Sequence, residues 1–507
     1  MNYLRTLILA SELQTFKPYE FNPTWQILLG FFIVLTLLLF SNLLRRVIPF
    51  LKRSLLPVSF IAGAIGLGLK VAFQYSELAI SGATLVTNNF TSMLQVLTYH
   101  ALAIGFISLG LKIIDKQRQK NKELGRDSLK GGLIIIATYL IQAIVGVVIT
   151  IVFSLVFDVV SPFAGVLLPM GFGQGPGQAM NIGGIFQDSG GFASGLDFGI
   201  SVSTLGFLSA AVGGVIYLNY AAKKGYVKRR DEDDITPTSN ELVEKHGEIP
   251  LSESIDKLTL QIALVAFTYF LTFGLMFGLH KLLELTGVPF LSVNVVGLIY
   301  GFNFIFAAMF AMLVKKIIAK LHTKKVIKRQ YINNFMLDRI AGVAFDIMII
   351  ASIMAIDIRN LSDPGLLITL AVMALIGAFV TYFYVMYVAR KAFPTYKHQA
   401  FVTFYGNLTG TASDGIALLR EIDPLFKTPS ADTLVYGSTV AIGLGFPVLL
   451  ITGYIYKDYE MGLASTSLWV SLGIMVLYFI AINIAFFFVL KHQKKKALQE
   501  VEEVSEK

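Results

Sequence analysis

Eleven apolar runs, each about the length that crosses a bilayer, constrain this chain more than any other feature. A membrane helix needs about 20 mostly apolar residues. Such runs lie at 24–44, 55–74, 94–112, 131–157, 196–221, 258–280, 290–314, 334–357, 365–389, 432–456 and 467–490. Composition agrees: apolar residues make up 55% of the chain, charged residues only 15%, and the mean hydropathy is +0.68. A soluble domain carries about 25% charge, and a disordered chain needs low hydrophobicity, so both classes are excluded. Cysteine is absent, which removes zinc–thiolate sites, iron–sulfur clusters and a cysteine nucleophile. The six histidines are scattered and form no metal-binding pair of the H-E-x-x-H type. The first twenty residues lack the apolar stretch and cleavage site of a signal peptide.

Positive charge orders the runs. Basic clusters stand between the first and second runs (Arg45, Arg46, Lys52, Arg53), between the third and fourth, after the fifth, between the seventh and eighth, after the ninth and after the last. The alternate loops are nearly empty: 75–93 and 158–164 hold no Lys or Arg, and the loops after runs six, eight and ten carry only Lys281, Arg359 and Lys457. This alternation predicts an outside N-terminus, a cytoplasmic C-terminus and insertion in the cell membrane. It closes only if two Gly-broken polar stretches, 162–187 and 399–421, each leave on the side they entered. They are then re-entrant hairpins.

The expected fold is an all-α polytopic membrane protein of about eleven spans, built as two inverted-topology repeats. Each repeat has the order four spans, hairpin, one span. An N-terminal extracytoplasmic segment, 1–23, precedes repeat one at 24–222. A cytoplasmic linker, 223–257, leads to repeat two at 258–457, and 458–507 adds one span and a tail. Irregular backbone at membrane depth survives only when buried in protein or lining a wet cavity. Inverted repeats with broken elements near the midplane are a recurrent design of secondary transporters. A channel would draw on symmetric subunits. An enzyme would need a nucleophile with a base, or metal ligands, in one cavity. The expectation is therefore a carrier and not an enzyme, with no nucleic-acid partner.

The hairpin tips hold the candidate binding residues. The first reads Gly171-Phe172-Gly173-Gln174-Gly175-Pro176-Gly177-Gln178-Ala179-Met180-Asn181. Its glycines let backbone approach a ligand, and Gln174, Gln178 and Asn181 offer donors and acceptors. Gly173, Gly175 and Gly177 join them as substrate-binding candidates. The second reads Tyr405-Gly406-Asn407-Leu408-Thr409-Gly410-Thr411-Ala412-Ser413-Asp414-Gly415, with Asn407, Thr409, Gly410 and Thr411 as its candidates. Helix N-termini suit a substrate carboxylate, and exposed oxygens suit a hard cation such as Na⁺. The cation-coupling candidates are Ser108, Asp346, Ser352, Ser413 and Asp414. Asp414 is either a helix cap or a cation or proton site. Asp346 is either a structural hydrogen-bonder or a coupling residue. For Ser108 and Ser352 the alternative is back-bonding to their own helices.

The stretch Phe172-Gly173-Gln174-Gly175-Pro176-Gly177-Gln178-Ala179 resembles the glycine-rich signature of the sodium/glutamate symporter family. So do the Ser-Leu-Gly-Leu end of run three and the Ser-Ile-Met-Ala-Ile end of run eight. The Gly406–Ala412 stretch falls where that family has its second signature. The resemblance spans roughly 25–457. It implies a Na⁺-driven carrier, glutamate as substrate, no cofactor beyond the coupling ion, both hairpins in a mobile core, a homodimer held by the other spans, and an elevator-like movement. Family members carry more polar side chains where Phe172 and Gln174 stand, and a Thr-Pro-Thr-like stretch in place of Ala412-Ser413-Asp414. A proton-coupled carrier, or a carrier of another carboxylate, is the alternative within the same fold.

Overall fold

The computed structural model describes residues 23–53, 56–75, 79–80, 83–84, 88–113, 122–227, 256–287, 296–301, 303–327, 329, 331–423 and 427–505. The N-terminal segment (except Pro23) and residues 228–255 of the expected linker lie outside the described residues.

The chain is helical nearly throughout. In order come α1 (Pro23–Val47), α2 (Val58–Tyr75), α3 (Asn88–Leu111), α4 (Lys122–Ser154), α5 (Leu167–Gly173), α6 (Pro176–Ser189) and α7 (Gly195–Lys223). Then follow α8 (Lys257–Glu284), α9 (Asn303–Thr323), α10 (Asn334–Ala355), α11 (Pro364–Ala392), α12 (Lys397–Thr409), α13 (Ala412–Arg420), α14 (Ser430–Tyr454) and α15 (Thr466–Ser505). The only ladder among the described residues is a two-residue antiparallel pair, Ala79–Ile80 with Ala83–Thr84.

Eight of these helices are long and apolar enough to cross a membrane, which makes this an all-α membrane protein. They are α1, α3, α4, α7, α8, α11, α14 and α15. The other three of the eleven expected runs are helical but fall short. The apolar part of α2 is short, Val58–Phe73. α10 carries Asp338, Arg339 and Asp346. The run expected at 290–314 divides into a short helix, Val296–Gly301, and α9, which runs on past Lys315 and Lys316.

Helix starts follow local chemistry. Asp256 accepts the Thr259 amide at 2.9 Å to cap α8, and Asn333 accepts the Met336 amide at 2.8 Å to cap α10. Asp363 accepts from Gly365 N at 2.7 Å, with Pro364 in the first turn of α11. Each satisfies an amide that the helix itself leaves unpaired.

Packing sorts the helices into two groups. One holds α1, α2, α3, α8, α9 and α10. The other holds α4, the broken pairs α5/α6 and α12/α13, and α7, α11, α14 and α15. Each group draws on both halves of the chain. Between them the packing is thinner and runs mainly through α6 and α7 against α3, α10 and the Val296–Gly301 helix. In the second group α7 threads between the two broken pairs. A side chain at Gly206 would strike both the Thr409 carbonyl and Phe172, so only glycine lets α7 touch both pairs at that depth.

Candidate functional site

Both expected hairpins are helix pairs broken at their Gly-containing tips. α5 ends at Gly173, Gln174 follows, and Gly175 takes φ +84°, ψ −179° before α6 starts with Pro176. Glycine, having no Cβ, holds that conformation cheaply where an L-residue does not. α12 ends at Thr409, and Gly410 and Thr411 lead into α13. The breaks meet: a Cβ at Gly175 would sit 3.6 Å from Thr411 Cγ2.

A broken helix leaves carbonyls at the end of its first arm without intrahelical partners. α4 supplies them. Tyr139 donates its hydroxyl to the Gly173 carbonyl at 2.9 Å. One turn on, Gln142 donates Nε2 to the Leu408 carbonyl at 2.9 Å and to Thr381 Oγ1 at 2.8 Å. Sequence reasoning missed both residues. The signal was there: a Tyr and a Gln three residues apart in a mostly apolar run.

The breaks line a cavity of about 1350 Å³ between the two helix groups. Gln174, Gln178, Asn407 and Thr411 give its polar wall, and Leu102, Phe106, Phe304, Phe345 and Met348 the apolar one facing it. Lys112, Lys315, Asp338 and Arg420 stand at its far end. There Lys112 pairs with Asp338 at 2.7 Å and Lys315 donates to the Lys112 carbonyl at 3.0 Å. Gln178 is 1% exposed, and among the described residues neither its Nε2 nor its Oε1 has a hydrogen-bond partner. An unmet buried amide costs about 1–3 kcal/mol, so this unpaired group at the cavity wall calls for an explanation.

The two tips differ electrostatically. No side chain caps α6. At α13 the cap is internal: Thr411 N and Thr411 Oγ1 both donate to Asp414 Oδ2 at 2.7 Å. Asp414 is buried behind Gly410 and does not line the cavity.

The remaining candidates separate. Gly177 lies against Met348 and Leu102. Asn181 donates to the Gly301 carbonyl at 3.0 Å, tying α6 to the other helix group and not to the cavity. Thr409 back-bonds to the Tyr405 carbonyl at 2.7 Å. Ser108 and Ser352 do the same, to Ile104 at 2.8 Å and Ile349 at 2.9 Å, and neither lines the cavity. Asp346 is half-buried beside Ser59 of α2, away from the breaks. The backbone of Ser413 is in α13, while its side chain lies outside the described residues. Among the described residues, no group of three or more His, Asp or Glu side chains is arranged to hold a metal ion.

At the other end of α10 the helix groups are latched. Buried Lys70 of α2 donates to the carbonyls of Met354, Ala355 and Ile356 at 3.0, 3.3 and 3.2 Å, neutralising the negative end of α10. Asp197 of α7 accepts from Asp357 N at 2.7 Å and Asn360 Nδ2 at 2.8 Å. Arg359 closes onto Asp357 at 2.6 Å. The cavity runs along α10 from Asn334 to Met348, and the latch begins at Met354, six residues or about 9 Å further along the helix.

No protein-family model matches this chain, and no curated protein matches it.

Proposed function

We propose that this protein is a sodium-coupled secondary active transporter of a small carboxylate, working by elevator-like alternating access. The observation that carries the reading is the meeting of two helix breaks, Gly175 against Thr411, on a cavity at the seam of two helix groups. Broken helices cost backbone hydrogen bonds, and a membrane protein keeps them where they serve a ligand. On this reading the broken pairs are re-entrant hairpins of two inverted repeats, and the group that holds them carries the site past the other group.

The thin packing between the groups favours such a slide. The charged latch at Lys70, Asp197 and Asp357 favours closure on one side while the cavity opens on the other. On this reading, and from the charge alternation of the loops, the open side faces the cytoplasm of a cell-membrane protein with its N-terminus outside. Substrate carboxylate docks at the uncapped start of α6, where amide donors and the helix dipole favour an anion. Na⁺ is the coupling ion, with Asp414 and Ser413 the coupling candidates at the breaks. The α1–α3 and α8–α10 group is the surface for a homodimer. The family resemblance puts glutamate first among substrates to try.

The test is uptake of radiolabelled glutamate and other small carboxylates into proteoliposomes, with and without an inward Na⁺ gradient. Accumulation that collapses with a Na⁺ ionophore is the expected result. Uptake driven only by a proton gradient would replace the coupling ion. Equilibration without accumulation would make the protein a pore.

A further inference from the structure

The two helix groups meet differently on the two sides of the cavity. At its Asn334 end the bonds of Lys112 and Lys315 stay inside one group: Lys112, just past α3, pairs with Asp338 of α10, and Lys315 of α9 donates to the Lys112 carbonyl. At the Met348 end, Gly177 of α6 lies against Met348 and Leu102. Beyond that contact two side chains cross from one group to the other. Asn181, one turn past Gly177 on α6, donates Nδ2 to the Gly301 carbonyl at 3.0 Å. Asp197 of α7 accepts the Asp357 amide on Oδ1 at 2.7 Å. Both side chains are buried, and neither lines the cavity.

The two ties share a form. The side chain comes from the group that holds the broken pairs, and its partner is backbone of the other group. That backbone has support of its own. Lys70 of α2 donates to the Met354, Ala355 and Ile356 carbonyls, so the end of α10 is capped from within its own group. Tyr99 of α3 holds the Tyr300 carbonyl, next to Gly301, at 2.8 Å. Asp197 also has a second partner: Oδ2 takes Asn360 Nδ2 at 2.8 Å, on the turn that leads into α11. The Asp197–Asp357 bond can therefore part with the α10 end still capped and Asp197 still bonded.

We propose that Asn181 and Asp197 form the gate on the side away from the cavity mouth. Their bonds to the Gly301 carbonyl and the Asp357 amide hold that side shut, and these bonds part when the group of broken pairs moves. Lys70 stays with α10 throughout. The inference rests on the transporter reading above and adds which contacts set its resting side.

The chain has no cysteine, so a thiol placed at Ala412, on the cavity wall, is the only one in the protein. The experiment measures how fast a membrane-impermeant maleimide labels Ala412→Cys in right-side-out and in inside-out vesicles. With the gate unaltered, labelling should be at least tenfold faster from the cytoplasmic side. Adding Asn181→Leu or Asp197→Asn should each speed labelling from outside about fivefold, the shift that one lost hydrogen bond gives. The two together should multiply. Both substitutions keep side-chain size; Asn at 197 sets an NH₂ group against one of the two donors that the carboxylate accepts. Outside labelling that neither substitution changes, with only a lower melting temperature, would make both bonds structural and overturn the gate, leaving the transporter reading in place. Labelling of the unaltered gate from outside alone would overturn it too. Equal labelling from both sides before any gate substitution would make the protein a pore and sink the transporter reading along with it.

Discussion

The tip at Gln174–Gly175 and the tip at Gly410–Thr411 solve one problem in two ways. Each ends one helix arm and starts another inside the protein, and α4 serves the ending arm of both. The starting arms diverge. α6 begins from a glycine at positive φ with its amides open, whereas α13 begins from a capping box closed by Asp414. The same backbone device thus leaves one helix start without a side-chain cap and closes the other with its own carboxyl group.

The largest effect should come from breaking the first tip. Gly175→Val asks a β-branched residue to hold φ +84° and pushes its side chain onto Thr411. Such strain costs about 1–3 kcal/mol. Uptake should fall more than a hundredfold while the protein still reaches the membrane. Near-normal uptake would show that tip contact is dispensable.

Changing the second tip should cost less and say more. Asp414→Asn keeps a capping oxygen but removes the carboxyl group, so on the transporter reading Na⁺ dependence should weaken. Uptake measured against Na⁺ concentration decides it; an unchanged curve leaves Asp414 a cap alone. Asp414→Ala should also lower stability by about 0.5–2 kcal/mol, the usual cost of a lost cap.

The shared support comes next. Gln142→Leu takes a donor from the Leu408 carbonyl and from Thr381 Oγ1, whose own proton still goes to the Gly377 carbonyl, and Tyr139→Phe takes the donor from the Gly173 carbonyl. Each lost bond costs about 1 kcal/mol. Gln142→Leu should therefore lower the melting temperature more than Tyr139→Phe, and the two together should exceed their sum if the tips depend on each other. The smallest effect is expected at Thr409 and Ser108, whose hydroxyls bond only to their own helices. Thr409→Val and Ser108→Ala should change uptake less than twofold; a larger loss would return either residue to the site.

Both breaks were legible from sequence because glycine, proline and clustered amides are conspicuous in an apolar chain. The expected tips 173–181 and 407–414 contain both. Function within them was less legible. Gln178 and Asn181 are one turn apart and look equivalent, yet one lines the cavity and the other reaches the Val296–Gly301 helix. Asp346 looked poised for coupling by depth alone, but its helix turns it toward α2.

What this sequence determined by itself is where helices run and where they break, since hydropathy, charge and glycine act on neighbours a few residues away. Which polar groups meet was left to the tertiary structure. Gln142 finds the Leu408 carbonyl 266 residues on, and Lys70 finds the Met354 carbonyl 284 residues on. Away from water, a buried polar group must find its partner within the protein. That partner is chosen by the packing of distant helices, and no local pattern encodes it.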